Sequence, residues 1–235
     1  MADRSANLSE IGQQGDLDRE RTESSATHKR FTGGKSRRGG QNTYAALGRG
    51  NTNSELLDAV IEAANIVVDL HEVGQYDHGK LAAVENSVGV CLQVLEDWLA
   101  KSQGKFGVKV TVGPVGVKAG ALASLVLSAA FRFAGFQSMS LGKTQTSLEL
   151  LRNSEELGAE LVIPLLPEDR VDQHLQDFED ELERGGFTTK FEVIPIAPGL
   201  PEKVAATLTI ARNAGEAISK ATEWALRRHQ SRTRE

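Results

Sequence analysis

The sequence predicts an α/β protein whose main body is a doubly wound parallel sheet, preceded by a helical hairpin and a disordered N-terminal tail. Residues 1–53 are Ser, Gly, Gln, Arg and Asp with scarcely a large apolar side chain. Residues 54–101 carry apolar side chains at spacings of three and four. From Val108 to residue 228, short apolar or β-branched runs alternate with helical periodicity. That alternation is the pattern of strand–helix–strand units with right-handed crossovers, a flavodoxin-like arrangement.

The tail cannot bury enough surface to offset its ordering entropy, so it is expected to be disordered. Within it, "HKRFTGGKSRRGG" gathers Lys29, Arg30, Lys35, Arg37 and Arg38 around Phe31. Such a cluster is either a basic arm for DNA or an acidic protein partner, or a solvated stretch balanced by Asp16, Asp18 and Glu20 upstream. The net charge of −5 gives no global reason to expect nucleic acid or a membrane. With no charged-then-apolar amino terminus and no apolar run of membrane-spanning length, a cytoplasmic protein without a membrane partner is expected. The single cysteine, Cys91, excludes an intramolecular disulfide and a thiolate metal cluster. On the apolar side of a predicted helix, it reads as a small buried hydrophobe.

The hairpin begins at "NTNSELLDAVIEAANIVVDLHEVG", where Ser54 reads as the N-cap and Glu55 follows in the first turn. Leu57, Val60, Ile61, Ala64, Val67 and Val68 fall on one face. After the turn "GQYDHG", a second helix reads "KLAAVENSVGVCLQVLEDWLAKS", with Leu81, Val84, Val88, Leu92, Leu95 and Leu99 in register. Two such helices are too few to stand alone, so their apolar face must cover something. Trp98 is placed to be core or to lie as a lid over a flat ligand.

The sheet elements follow in order. "VKVTVGP" is a β-branched strand, "KAGALASLVLSAAFRFAG" an apolar helix and "FQSMSLG" a second strand. "TSLELLRNSEELG" is a helix stopped by Gly158, and "AELVIPLLP" is a strand apolar enough to be covered on both faces. A helix from Pro167 to Gly186, the strand "KFEVIPIAP" and a long helix over 201–228 complete the pattern. Ligands of such sheets bind outside the carboxyl ends of the strands. That directs attention to Gly113 to Gly120, Leu141 to Thr144, Leu165 to Glu168, and Ala197 to Pro201.

Most chemical motifs fail at these places. Gly142-Lys143-Thr144 ends like a phosphate-binding P-loop, but Gln137 stands where that motif needs its first glycine. Gly113, Gly116 and Gly120 lack the spacing of a dinucleotide fingerprint, and "SMSLG" has no acid to hold a ribose. A phosphate at the helix start beside Lys118 stays open. His71 and His78 flank a polar turn without a cysteine partner, His174 lies on a charged helix, and His229 is near the C-terminus. Ser140 has no evident base and no G-x-S-x-G elbow, and the run "DFEDELE" reads as a solvated helix face. No catalytic set and no metal set is therefore expected.

The layout nevertheless resembles the cobalamin-binding domains of the methionine synthase and corrinoid-protein family. Gly120 falls on the last glycine of that family's D-x-H-x-x-G motif. Ala134-Gly135-Phe136 falls on the turn after its helix, Ser140-Leu141-Gly142 on the end of its second strand, and Gly158-Ala159-Glu160-Leu161-Val162 on the start of its third. The match covers roughly Val108 to Pro198, with residues 54–101 in the place of the family's helical cap. The resemblance implies a cofactor seat at Gly113, Gly116, Val117, Lys118, Gly120, Ser140 and Gly142, with Trp98 above it.

The departures are specific. Val115 stands where the family has its acid, and Val117 where it has the histidine that ligates cobalt from below. Leu166 replaces the serine that contacts the displaced nucleotide tail, and Ala197-Pro198 replaces paired glycines. A His-ligated cobalamin is therefore not expected; cobalamin held otherwise, or heme, remains open. Relatives of this layout also serve as sensory or regulatory modules, including regulators of bacterial photosynthesis genes. The expectation is a non-catalytic regulatory or sensory protein acting on a transcriptional partner. A ligand-free interaction scaffold and a corrinoid-carrying subunit of a methyltransferase are the alternatives.

Overall fold

The computed structural model describes residues 44–102, 104–117, 119–143, 145–200 and 208–232. Residues 1–43 of the tail expected over 1–53, with its cluster of Lys29, Arg30, Lys35, Arg37 and Arg38, and Lys118 lie outside the described residues, whereas residues 44–47 of that tail are helical. The chain separates into two compact units after Val94. No helix among the described residues is long and apolar enough to cross a membrane.

The first unit contains α1 (Asn53–Glu72) and α2 (His78–Val94). The N-cap of α1 is Thr52, not Ser54. The Glu55 amide donates to the Thr52 hydroxyl at 3.3 Å, and the Thr52 amide donates to the Glu55 carboxylate at 2.7 Å. This is a capping box, which needs its hydroxyl three residues before the glutamate, and only Thr52 satisfies that spacing. Leu57, Val60, Ala63, Ala64 and Val67 are buried on α1, facing Leu81, Val84, Val88, Cys91 and Leu92 buried on α2. The turn between them is pinned by His71, whose Nδ1–H donates to the Tyr76 carbonyl at 2.7 Å.

The helix expected over residues 80–102 is two helices. It breaks at Leu95, and α3 (Glu96–Ser102) belongs to the second unit. Neither proline nor glycine sits at the break. The pull is tertiary: Leu95 and Leu99 are fully buried, and Glu96 receives a two-pronged hydrogen bond from Arg132, with one arm at 2.9 Å. That partner explains why the Glu96 carboxyl is held below the ordinary carboxylate range.

The second unit continues through β1 (Lys109–Pro114), α4 (Gly120–Ala134), β2 (Gln137–Ser140), α5 (Ser147–Glu156), β3 (Leu161–Leu165), α6 (Val171–Arg184), β4 (Glu192–Val193) and α7 (Ala214–Arg232). The four strands are parallel in the order β2-β1-β3-β4, as the doubly wound expectation requires. Val110 pairs with Ser138 on one side and with Leu161 on the other. Alternate strand residues point to opposite faces. Val110, Val112, Leu161 and Ile163 join Leu127 and Phe131 of α4 and Ala217 and Ala221 of α7. Val115, Val162 and Val193 join Leu150 and Leu151 of α5 and Leu175 and Phe178 of α6.

Two expected elements are shorter. The strand read in "KFEVIPIAP" forms a ladder only at Glu192–Val193 and resumes as a single bridge between Leu165 and Ile196. Pro164 has no N–H to give the fourth strand at the intervening rung, and Pro195 has none to give the strand beyond it. The closing helix begins at Ala214 rather than 201. Residues 201–207 lie outside the described residues, and 208–213 are not helical. There Ala211 adds a one-residue parallel rung beside Ile196, accepting from the Ala197 amide at 2.9 Å and donating to the Pro195 carbonyl at 2.8 Å. Asn213 then starts α7, its side-chain oxygen accepting from the Glu216 amide at 2.9 Å.

Replacing Thr52 by Ala should remove the cap of α1 and cost about 1 kcal/mol. Ser54→Ala should cost far less. Urea denaturation of both variants checks this; equal losses would contradict the assignment of Thr52 as the cap.

Candidate functional site at the carboxyl edge of the sheet

In the order β2-β1-β3-β4 the chain leaves β1 toward one side and returns to place β3 on the other. The crevice of such a sheet opens at the carboxyl ends of β1 and β3. The loops there are tightly tied. The Val115 amide donates to the Leu165 carbonyl at 2.9 Å, and the Gln145 amide donates to the Pro114 carbonyl at 3.0 Å. Gln145 is held in turn by Asn153, whose side-chain amide donates to it at 2.8 Å. Thr146 caps α5 in a second capping box with Glu149. Its backbone N–H and its hydroxyl lower the Glu149 carboxyl below the ordinary range.

The structure brings Gly113, Gly116, Val117, Gly120, Ser140 and Gly142 together around this edge, and their roles differ. Gly113 serves packing: a Cβ there would lie 2.5 Å from Cδ1 of the fully buried Leu150. Gly116 and Gly142 have φ of +74° and +60°, and Gly199 in the loop after β4 has +74°. A Cβ on Gly142 or Gly199 would meet nothing within 4 Å, and one on Gly116 would meet only Pro167, at 3.8 Å. These turns therefore present open backbone at the edge. Gly120 is the buried first residue of α4. Lys118, in the same loop, is outside the described residues.

Ser140 is a structural hydroxyl. Its Oγ lies 2.8 Å from the Ser124 hydroxyl of α4 and accepts from the Gly142 amide at 3.2 Å. One step down the same seam, Ser128 and Ser138 hydrogen-bond each other at 3.1 Å. Neither of the two partners of Ser140 is a base.

Trp98 is not brought to this edge. Its ring stacks on Phe133 with centroids 5.0 Å apart. Phe133 lies in the last turn of α4, roughly 20 Å along the helix axis from Gly120. The expectation that Trp98 could lie over a ligand at the carboxyl edge is therefore corrected, because α4 runs antiparallel to the strands and carries Phe133 to their amino ends.

Sequence reasoning also missed Gln145, Thr146 and Arg170. The Thr146-x-x-Glu149 spacing was a readable capping box. Arg170, at φ +52°, is the only non-glycine with positive φ among the described residues, and nothing in its sequence context signals it.

Metal chemistry finds no protein ligand set here: among the described residues no group of three His, Cys, Asp or Glu side chains could hold a metal ion. His71 and His78 do come together in the first unit, with ring centroids 5.0 Å apart.

The fold is shared with solved structures. The monomethylamine corrinoid protein of Methanosarcina barkeri superposes with a TM-score of 0.59 over 86% of this chain and 96% of its own, at 17% identity. The chain has the fold of a corrinoid protein. A cobalamin-binding protein from Desulfitobacterium hafniense DCB-2 aligns with a TM-score of 0.43 at 15% identity, over 85% of this chain and 97% of that one. The methanol:cobalamin methyltransferase complex MtaBC from Methanosarcina barkeri aligns with 0.43 at 13%, over 85% and 78%. No protein-family model and no curated protein matches the chain.

A corrinoid held through cobalt from below needs a lone pair at the end of β1. Val115 is buried among Leu150, Val162 and Leu166, and Val117 packs against the core on the other face of the sheet. Neither side chain can donate to a metal. The residues at the end of β1 do not fit a histidine-ligated corrinoid.

Two substitutions separate packing from ligand contact. Gly113→Ala should destabilise the protein by about 2 kcal/mol through overlap with Leu150, measured by thermal or urea unfolding. Trp98→Ala should also cost about 2 kcal/mol by unstacking Phe133. Any tetrapyrrole binding should be unaffected by it, whereas a Trp98 lid would lose such binding at constant stability.

Proposed function

We propose that the chain is a non-catalytic regulatory protein whose second unit seats a tetrapyrrole, cobalamin or heme, at the carboxyl edge of its sheet. The observation that carries this reading is the combination of a corrinoid-protein fold with valines at 115 and 117. Sheets of this kind take their ligands outside the carboxyl ends of the strands, while Val115 and Val117 at the end of β1 are neither cobalt ligands nor acid–base groups. Among the described residues, the backbone at Gly116, Gly142 and Gly199 has nothing crowding a Cβ position, which suits the close approach of a flat ring. A sensor needs its ligand bound and released in response to conditions, and a seat without a protein–metal bond suits that better than group transfer does.

In this reading the basic cluster Lys29, Arg30, Lys35, Arg37 and Arg38 contacts the transcriptional partner, either DNA or an acidic protein surface. Each phosphate neutralised by such an arm steepens the log–log salt dependence of binding by roughly one unit.

The fold likeness to a monomethylamine corrinoid protein favours a second reading, a corrinoid-carrying subunit of a methyltransferase. Val117 is the residue that opposes it.

The decisive experiment titrates the full chain with hydroxocobalamin and with hemin, followed by absorbance, and then repeats DNA and partner binding with and without ligand. The expected result is saturable binding of one of the two and a ligand-dependent change in partner affinity, lost on deleting residues 28–40. Binding of neither tetrapyrrole would reduce the protein to an interaction scaffold. Methyl transfer from a methylated substrate to bound cobalamin would establish the second reading.

A further inference from the structure

Beneath the open glycine turns, the described side chains on both faces of β1 are closely packed. On the α5 and α6 face, the hydroxyls of Thr111 and Ser154 hydrogen-bond at 2.7 Å and are fully buried. Two residues along, the space over Gly113 is occupied by Leu150, and two further along Val115 is 7% exposed. Leu166, at the start of the loop after β3, is 3% exposed in the same cluster. On the opposite face Val112, Leu165 and Ile196 are buried, and Val117 lies against their cluster. A ligand arm entering beside β1 would have to displace Leu150 and Val115 on one face, or Val117 on the other. Close-packed side chains of this kind do not yield space without loss of contacts.

Cobalamin has two separable parts: a flat corrin ring, and a nucleotide tail ending in dimethylbenzimidazole. The tail folds back to ligate its own cobalt unless a binding site draws it away. Among the described residues, this packing leaves open backbone for the ring and no space beside β1 for the tail. Resting on the tetrapyrrole reading above, we infer that this edge recognises only the ring face and leaves the nucleotide tail in solvent, still coordinated to cobalt. Recognition is then blind to the tail, and tail-less tetrapyrroles compete for the same seat.

Cobinamide, the corrin ring without its nucleotide, tests this directly. The full chain is titrated in parallel with hydroxocobalamin and diaquacobinamide, and the spectrum of bound methylcobalamin is recorded at neutral pH. The two dissociation constants should agree within about tenfold, since an exposed tail contributes little, whereas a buried aromatic base would contribute much more. Bound methylcobalamin should keep its red, base-on spectrum. Cobalamin binding more than about tenfold tighter than cobinamide, or a yellow base-off spectrum on binding, would overturn the inference while leaving the tetrapyrrole seat intact. Failure of both corrinoids and of hemin to bind would overturn the seat itself, and this inference with it.

Discussion

Because β1 lies between β2 and β3 and carries helices on both faces, every residue from Val110 to Val115 has to be buried, and each has to be paired or packed. The strand meets that demand differently at each position. Val110 and Val112 fill the α4 and α7 face. On the other face, Thr111 satisfies its hydroxyl on Ser154, and Gly113 yields its side-chain space to Leu150. The position of α5 follows from the last two: a hydroxyl pair sets its register, and a missing Cβ allows its leucine to come close. What happens at the carboxyl edge is then constrained from beneath, since Leu150 and Val115 occupy the volume into which a ligand would otherwise reach.

The glycines of the first loop illustrate how one residue type can carry two unrelated jobs. In sequence, Gly113, Gly116 and Gly120 read as one set bracketing a ligand turn. In the structure Gly113 is a packing residue, while Gly116 is a conformational one at φ +74° with open space beside it. Only the second kind leaves backbone accessible to a ligand. Counting glycines near a strand end therefore overstates a binding loop unless the partner above each missing Cβ is known.

The alternation of strand and helix and the parallel sheet were legible, because binary patterning and the crossover rule determine them. Three details were not. The break at Leu95 has no local signal; it comes from the Glu96–Arg132 contact and the burial of Leu95 and Leu99, which link segments far apart in sequence. The shortened β4 was readable in principle from Pro164 and Pro195, yet the apolar run around them masked the two missing donors. The late start of α7 was signalled by Asn213 with Glu216 three residues on, but the apolar residues upstream continued a helical period and hid it. At the site, the sequence identified which loops converge. It could not say that Trp98 stacks on Phe133, because that depends on which end of α4 receives α3.

The serine seam between α4 and β2 bears on why this edge is quiet chemically. Ser124 with Ser140, and Ser128 with Ser138, exchange hydrogen bonds inside the protein, and the Ser140 hydroxyl also accepts from the Gly142 amide. Ser124, Ser128 and Ser138 are buried and Ser140 is half-buried, and the seam pairs all four hydroxyls. A serine activated for attack requires a base within hydrogen-bond reach; among the described residues Ser140 bonds to another serine and a backbone N–H. The same bonds hold the Gly142 turn in its left-handed conformation, so the seam that removes Ser140 from chemistry also keeps the loop beside it open. Shape, rather than reactivity, is what the β2 end contributes to the site.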